Sequence, residues 1–174
     1  HKPEAFKKTE HTGRTVALME SSINILKGTG IWDVLEPLSN PMEMMRIVDD
    51  SDAGKEPIEI EFPASDIGMA QFSYNIPNGH LRAALYERIQ KLKNVVFIES
   101  TFSNYEVGDG GIVVHLENQK AIQARLLVGA DGRNSAVREF AGIQTTKKQY
   151  DQSAITCLIN HSRSHNNTST EFHR

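Results

Sequence analysis

Asp131 is the residue whose neighbours best equip it for chemistry. An apolar run, Arg125-Leu-Leu-Val-Gly-Ala130, leads into it; Gly132-Arg-Asn-Ser135 follows, and Ala136 to Ala141 is patterned as a short helix closed by Gly142. As strand, turn and helix, this puts a carboxylate at the carboxyl end of a buried strand, where open α/β sheets bind ligands. A carboxylate there can accept hydrogen bonds from backbone N–H groups or from ribose hydroxyls. Ser135 can cap the next helix, whose N-terminus favours anions. Arg138 adds a fixed positive charge. Gly129, Ala130 and Gly132 are small enough to let the backbone pass close to a partner. The chemistry is that of a nucleotide-edge site. The same residues also spell a plain strand–turn–helix with an Asp-Gly turn, and both readings stand at this point.

Other reactive residues carry less. His161, His165 and His173 gather in a polar stretch with no carboxylate or cysteine set at ligand spacing, so no metal site is expected and the stretch reads as a solvated tail. One cysteine, Cys157, excludes an internal disulfide and a cysteine zinc site. No Gly-x-Ser-x-Gly elbow supports a serine hydrolase. Met42, Met44 and Met45 read as packing residues that could also line an oily pocket. A net charge of −3 argues against a nucleic-acid module. The longest apolar runs fall far short of the roughly 18 residues a membrane-spanning helix needs. At 174 residues, with 39% hydrophobic and 24% charged, the composition is globular: one domain, or one plus part of another.

Several elements must hold these residues in place. Val16, Met19, Ile23 and Leu26 recur at helical spacing from Thr15, with Gly28 and Gly30 ending the stretch and Ile31 to Leu35 adding an apolar turn before Pro37. Met44–Val48 and Ile58–Phe62 read as short strands, the second alternating strictly so that one face is wet. Asn78 is placed to cap a helix carrying Leu81, Ala84, Leu85, Ile89 and Leu92 on one face. Val95–Ile98 reads as a buried strand. Phe102–Val107, Ile112–Leu116 and Ala121–Gln123 form a meander whose first turn is Gly108-Asp-Gly-Gly111. Ile155–Ile159 starts one more strand. The fold class is α/β, with a side excursion of strands near 42–75 that could share a second sheet with the strand after Tyr150.

The Asp131 stretch, Gly-Ala-Asp-Gly-Arg-Asn-Ser-Ala-Val-Arg-Glu ending in Ala-Gly-Ile, resembles the second FAD fingerprint of flavoprotein aromatic hydroxylases of the p-hydroxybenzoate-hydroxylase type. Arg14-Thr-Val-Ala-Leu18 with Ser22, Leu26 and Gly30-Ile-Trp32 resembles that family's Arg-bearing helix. Ile76-Pro-Asn-Gly-His-Leu81 with Leu85 resembles its next helix start. Tyr150-Asp-Gln-Ser-Ala154 is similar to the ubiquinone-biosynthesis hydroxylase branch. The resemblance implies part of a Rossmann-like FAD-binding domain with a β-meander, residues 1–41 and 76–148. It also implies strands of a smaller substrate-domain sheet at 42–75 and 149–174. It implies a FAD-dependent monooxygenase that draws electrons from NAD(P)H and hydroxylates a polyprenylated phenol ring with O2. It implies cofactor contacts from Arg14 at the FAD phosphates, Asn78 by an amide near the cofactor, Ala130, Asp131 and Gly132 at the ribityl–pyrophosphate region, and Arg138. No catalytic base is assigned.

The family's opening Gly-x-Gly-x-x-Gly is absent from this chain, as is its later Gly-Asp pair. The chain is therefore expected to be an internal piece of such an enzyme, holding FAD weakly by itself. A related flavin-dependent reductase or halogenase, or a non-catalytic binding module, are the alternatives. A cytoplasmic setting is expected, with peripheral contact to the inner membrane or a biosynthetic complex implied by the oily substrate class.

Overall fold

The structure, a computed structural model, describes residues 14–174. In chain order come β1 (Thr15–Met19), α1 (Glu20–Thr29), α2 (Trp32–Leu35), β2 (Asn40–Met42), β3 (Met44–Asp49), β4 (Ile58–Pro63), β5 (Ser73–Pro77) and α3 (Asn78–Gln90). Then follow β6 (Phe102–Gly108), β7 (Gly111–Leu116), β8 (Ala121–Ala124), α4 (Ala136–Phe140) and β9 (Thr168–His173). The architecture is mixed α/β, as expected. Residues 96–153 form one compact unit; residues 14–95 and 154–174 form the other. No described helix is long and apolar enough to cross a membrane.

In the larger unit, β1, β5 and β2 make a three-stranded antiparallel sheet with β5 in the centre. The helix expected from Thr15 is corrected here: its first five residues are strand β1, and α1 starts at Glu20. Val16 and Leu18 alternate inward while Thr15 and Met19 point out, so a period of two competes with the helical spacing. β5, which the sequence reading had left out, supplies the ladder that decides for strand. α1 ends in a Schellman closure. Gly30 takes φ 74° and donates to Lys27 O at 2.9 Å, and Ile31 N–H donates to Leu26 O at 3.4 Å. That turn delivers Ile31, Trp32 and Leu35 into a core with Ile23, Leu26, Ile76 and Ala84. Trp32 meets Tyr74 edge-on at 4.9 Å. Arg88 Nε of α3 donates to Thr29 O at 2.8 Å, occupying a carbonyl that α1 leaves open at its end.

The same unit holds the sheet β4-β3-β9. β3 and β4 pair antiparallel, as their sequences suggest, with Arg46 opposite Glu61. The solvated-tail reading is corrected: its Thr168–His173 stretch is β9, paired parallel to β3 in the register Met44↔Thr168. The strand expected at Ile155–Ile159 does not form, and Ile155 is almost fully exposed. β4 keeps its alternation but buries neither face. Ile58, Ile60 and Phe62 are 63%, 49% and 45% exposed, β4 being the edge strand of its sheet and paired with β3 alone among the described strands.

The smaller unit carries the meander β6-β7-β8, all antiparallel. The β6–β7 turn needs its glycine. Gly111 has φ 114°, and a Cβ there would stand 2.5 Å from Ala124 O. The buried strands expected at Val95–Ile98 and Arg125–Ala130 are both corrected. Neither stretch is a strand, and Leu126 and Val128 are 73% and 70% exposed. An apolar run becomes a strand only where a neighbour completes its ladder, and the described residues offer none to either run.

Candidate functional site

Asp131 sits after the extended Leu126–Ala130 stretch and before α4. Ser135 is the N-cap of α4: Arg138 N–H donates to its Oγ at 3.0 Å. The Ser135 hydroxyl in turn donates to Asp131 Oδ1. The other carboxylate oxygen, Oδ2, accepts from Ala136 N–H at 2.7 Å and Val137 N–H at 3.2 Å. Asp131 thus closes the first turn of α4 by three bonds. The Ser135 hydrogen bond, helped by the backbone N–H groups, holds its carboxyl below the usual carboxylate value. Ionised, a carboxylate has about four lone-pair sites. The Ser135 hydroxyl and the backbone N–H groups of Ala136 and Val137 take up three of these, and the backbone N–H of Asp131 itself also acts on the carboxylate. The cap and the anion-favouring helix start expected from sequence are both present, with the carboxylate itself as the anion.

The glycines shape what surrounds it. Gly132 has φ 90°, and nothing lies within 4 Å of where a Cβ would be. Its backbone is bare on the outer side of the turn. Gly129 does the opposite: a Cβ there would meet Val137 Cγ1 at 3.1 Å and Cβ at 3.2 Å. The chain therefore passes close to its own helix α4 at Gly129. The sequence reading expected close approach here without naming the partner; a β-branched residue early in α4 was the available signal. Arg138 stands on α4, half-buried, and its guanidinium donates to Arg133 O at 2.8 Å. Gly129, Gly132, Ser135 and Arg138 border an open cavity of 460 Å³ whose other walls include Tyr105, Leu127 and Val137. Tyr105 and Phe102 of β6 hold α4 against the meander through Phe140, at 4.9 and 6.1 Å between ring centres. Nothing in the sequence pattern gave that aromatic trio away.

The other two expected contacts lie in the larger unit, and the structure brings them together. Arg14 immediately precedes β1 and Asn78 opens α3; Asn78 N–H donates to Arg14 O at 3.0 Å, extending the β1–β5 ladder by one bond. Two expectations are corrected. Arg14 is not on a helix, and Asn78 is the first residue of α3 and caps nothing, the N-cap position being Pro77 with no side-chain cap bond. The Arg14 guanidinium is exposed and makes no hydrogen bond to another described residue; a guanidinium fork suits phosphate oxygens. Within the smaller unit, the bare backbone of Gly132 lies next to the Asp131 carboxylate.

The fold belongs to a known class. The solved structure of Pseudomonas aeruginosa PqsL in complex with 2-aminobenzoylacetate matches with a TM-score of 0.66 at 20% identity, over 83% of this chain and 39% of that one. That likeness shows the fold alone. Residues 4–172 match the family model described as FAD binding domain, and the chain belongs to that family. Ubiquinone hydroxylase UbiL of Rhodospirillum rubrum is 31% identical over 170 residues, covering 97% of this chain and 38% of that protein. The 3-demethoxyubiquinol 3-hydroxylase of Escherichia coli is 27% identical over 148 residues, covering 84% of this chain and 37% of that protein. The chain thus spans less than two fifths of the length of these curated relatives.

Proposed function

We propose that the chain is part of a FAD-dependent monooxygenase that hydroxylates a polyprenylated phenol ring in ubiquinone biosynthesis, using NAD(P)H and O2. The observation that carries this is the Asp131–Ser135 cap beside the bare backbone of Gly132, in a chain whose relatives are named as ubiquinone-pathway hydroxylases. In this reading residues 1–41 and 76–148 serve the cofactor, and the strands of 42–75 and 149–174 serve the substrate. Arg14 binds FAD phosphate oxygens through its fork. The Asn78 amide hydrogen-bonds the cofactor nearby. Asp131 accepts from a ribityl or ribose hydroxyl, partly through water, while Ala130 and Gly132 let the backbone close in. Arg138 keeps positive charge beside that contact. The bound flavin supplies the oxygen-transfer chemistry, and the protein positions it and excludes water. These residues hold FAD weakly without the Gly-x-Gly-x-x-Gly turn. The protein works in the cytoplasm, peripheral to the inner membrane.

The test is a spectrum of the purified full-length protein, followed by turnover. The expected result is a yellow protein with flavin bands whose NAD(P)H oxidation rises with prenylated phenols and yields the hydroxylated product. Arg14→Ala should weaken FAD binding by roughly tenfold, one charge-assisted contact being worth about 1.5 kcal/mol or more. A protein that stays colourless after FAD is added refutes the reading, and a non-catalytic binding module takes its place.

A further inference from the structure

Between Gly132 and Tyr150 stand Arg133, Arg138, Lys147 and Lys148 against one carboxylate, Glu139. All four cations line one open cavity of 690 Å³, with Thr145 and Thr146 beside them and no carboxylate in its wall among the described residues. None of the four is ion-paired among the described residues; Lys148 instead lies 5.0 Å over the Tyr150 ring. The whole chain carries −3, so this positive face is local and is not a by-product of a basic protein. Exposed apolar side chains flank it in sequence: Phe140, Ile143 and Tyr150 are all at least half exposed. Arg138 and Ile143 also border the neighbouring 460 Å³ cavity, where apolar side chains such as Leu127 and Val137 prevail.

Unneutralised lysines next to exposed apolar and aromatic groups match the layered chemistry of a membrane surface. Headgroup phosphates meet the cations, and amphipathic rings sit at the interface. Ile143 and Tyr150 of the same segment are 62% and 63% exposed, and a bilayer would cover such side chains where a soluble phosphate compound would leave them in water. We propose that the Arg133–Tyr150 segment is a docking surface for an anionic lipid bilayer. The proposal rests on the peripheral-membrane part of the reading above and gives it a surface; its failure is separable from that of the flavin chemistry, because binding is read without turnover.

The experiment is cosedimentation of the full-length protein with vesicles of mixed phosphatidylglycerol and phosphatidylcholine, against vesicles of phosphatidylcholine alone. The protein should sediment with the anionic vesicles only, and less as salt rises. Lys147→Gln/Lys148→Gln should weaken binding by about 30-fold, taking about 1 kcal/mol for each basic residue at the surface. The matched pair Lys91→Gln/Lys93→Gln, just past α3, should bind like the parent. Equal binding to both vesicle types overturns the proposal, as does equal loss in the two double variants. A third arm acylates the lysines. Protection of Lys147 and Lys148 by vesicles supports docking; protection by inorganic phosphate or NADPH but not by vesicles overturns it in favour of a soluble phosphate ligand.

Discussion

Seven residues of the larger unit, from Ile23 to Ala84, bury together around Trp32, whereas in the 96–153 unit Val114 is the one apolar side chain that is buried among the described residues. The first region is held as cores usually are, at about 1.5–3 kcal/mol for each large side chain taken from water. The second is held by ladder bonds, an aromatic trio joining β6 to α4 and the hydrogen bonds converging on Asp131. Stability and site shape are therefore set by different means. The larger unit draws on buried area. Around Asp131 the shape comes from polar caps, from Gly132 at φ 90° and from the close approach of Gly129 to Val137.

Trp32→Ala should break the first region hardest. It removes the largest buried side chain of that core and its edge-on contact with Tyr74, at a cost of about 3–5 kcal/mol. Urea unfolding followed by Trp-independent circular dichroism reads it. Leu126→Ala, an apolar truncation of exposed chain in the other region, should stay within about 0.5 kcal/mol of the parent. Equal costs would erase the contrast. Gly129→Ala comes next. The added methyl must push against Val137, whose branched side chain has little rotamer freedom on a helix, so about 1–3 kcal/mol is expected. α4 should shift with it, and FAD affinity of the full-length protein should fall while the Trp32 region keeps its fluorescence.

How much of each region was legible follows from where its information lies. The meander and the β3–β4 pair could be read because alternation and turn residues are local, and Gly108 to Gly111 announces its own hairpin. The Ser135 cap was legible for the same reason. Val16 to Leu26 was not, since strand β1 needs β5, more than fifty residues away, to choose between two periods that the same residues satisfy. Val95–Ile98 and Leu126–Val128 misled in the opposite sense: their composition favours strand, but a strand is a relation between two segments and not a property of one. β9 hid in a polar stretch because Thr168–His173 gains its ladder from β3 without burying a face. At the site, Asp131 stood out by type and spacing. That its carboxylate faces its own helix depends on a three-dimensional turn that spacing does not encode.

Ser135→Ala sharpens the polar side of the comparison. It removes the acceptor for Arg138 N–H and the hydroxyl that bonds Asp131, at about 1 kcal/mol, typical of an N-cap loss. The pH dependence gives a second reading. Asp131 has a folded pKa below its ordinary 3.8, so its contribution is complete above that value and is lost as pH falls through the folded pKa. The Ser135 bond is the largest cause of the shift, so Ser135→Ala should lessen the loss of stability on acidification below the ordinary carboxylate range. An acid limb identical in parent and variant would remove Ser135 from that role.

The smallest effect expected is at Arg46 and Glu61. They face each other across β3 and β4, with Nη2 2.7 Å from Oε1 and Nε 2.8 Å from the same oxygen. Geometry this close invites a large estimate, but the side chains are 37% and 46% exposed, and water and salt screen the pair. A double-mutant cycle with Arg46→Gln and Glu61→Gln should return a coupling of about 0.2–1 kcal/mol that shrinks in high salt. The pair then matters for register more than for stability: it favours Arg46 opposite Glu61, and slipping by one residue would carry every β4 side chain to the other face. A coupling well above that range would mean that the β4-β3-β9 sheet is drier than its exposure indicates. The division between a buried region and a polar one would then have to be redrawn inside the larger unit.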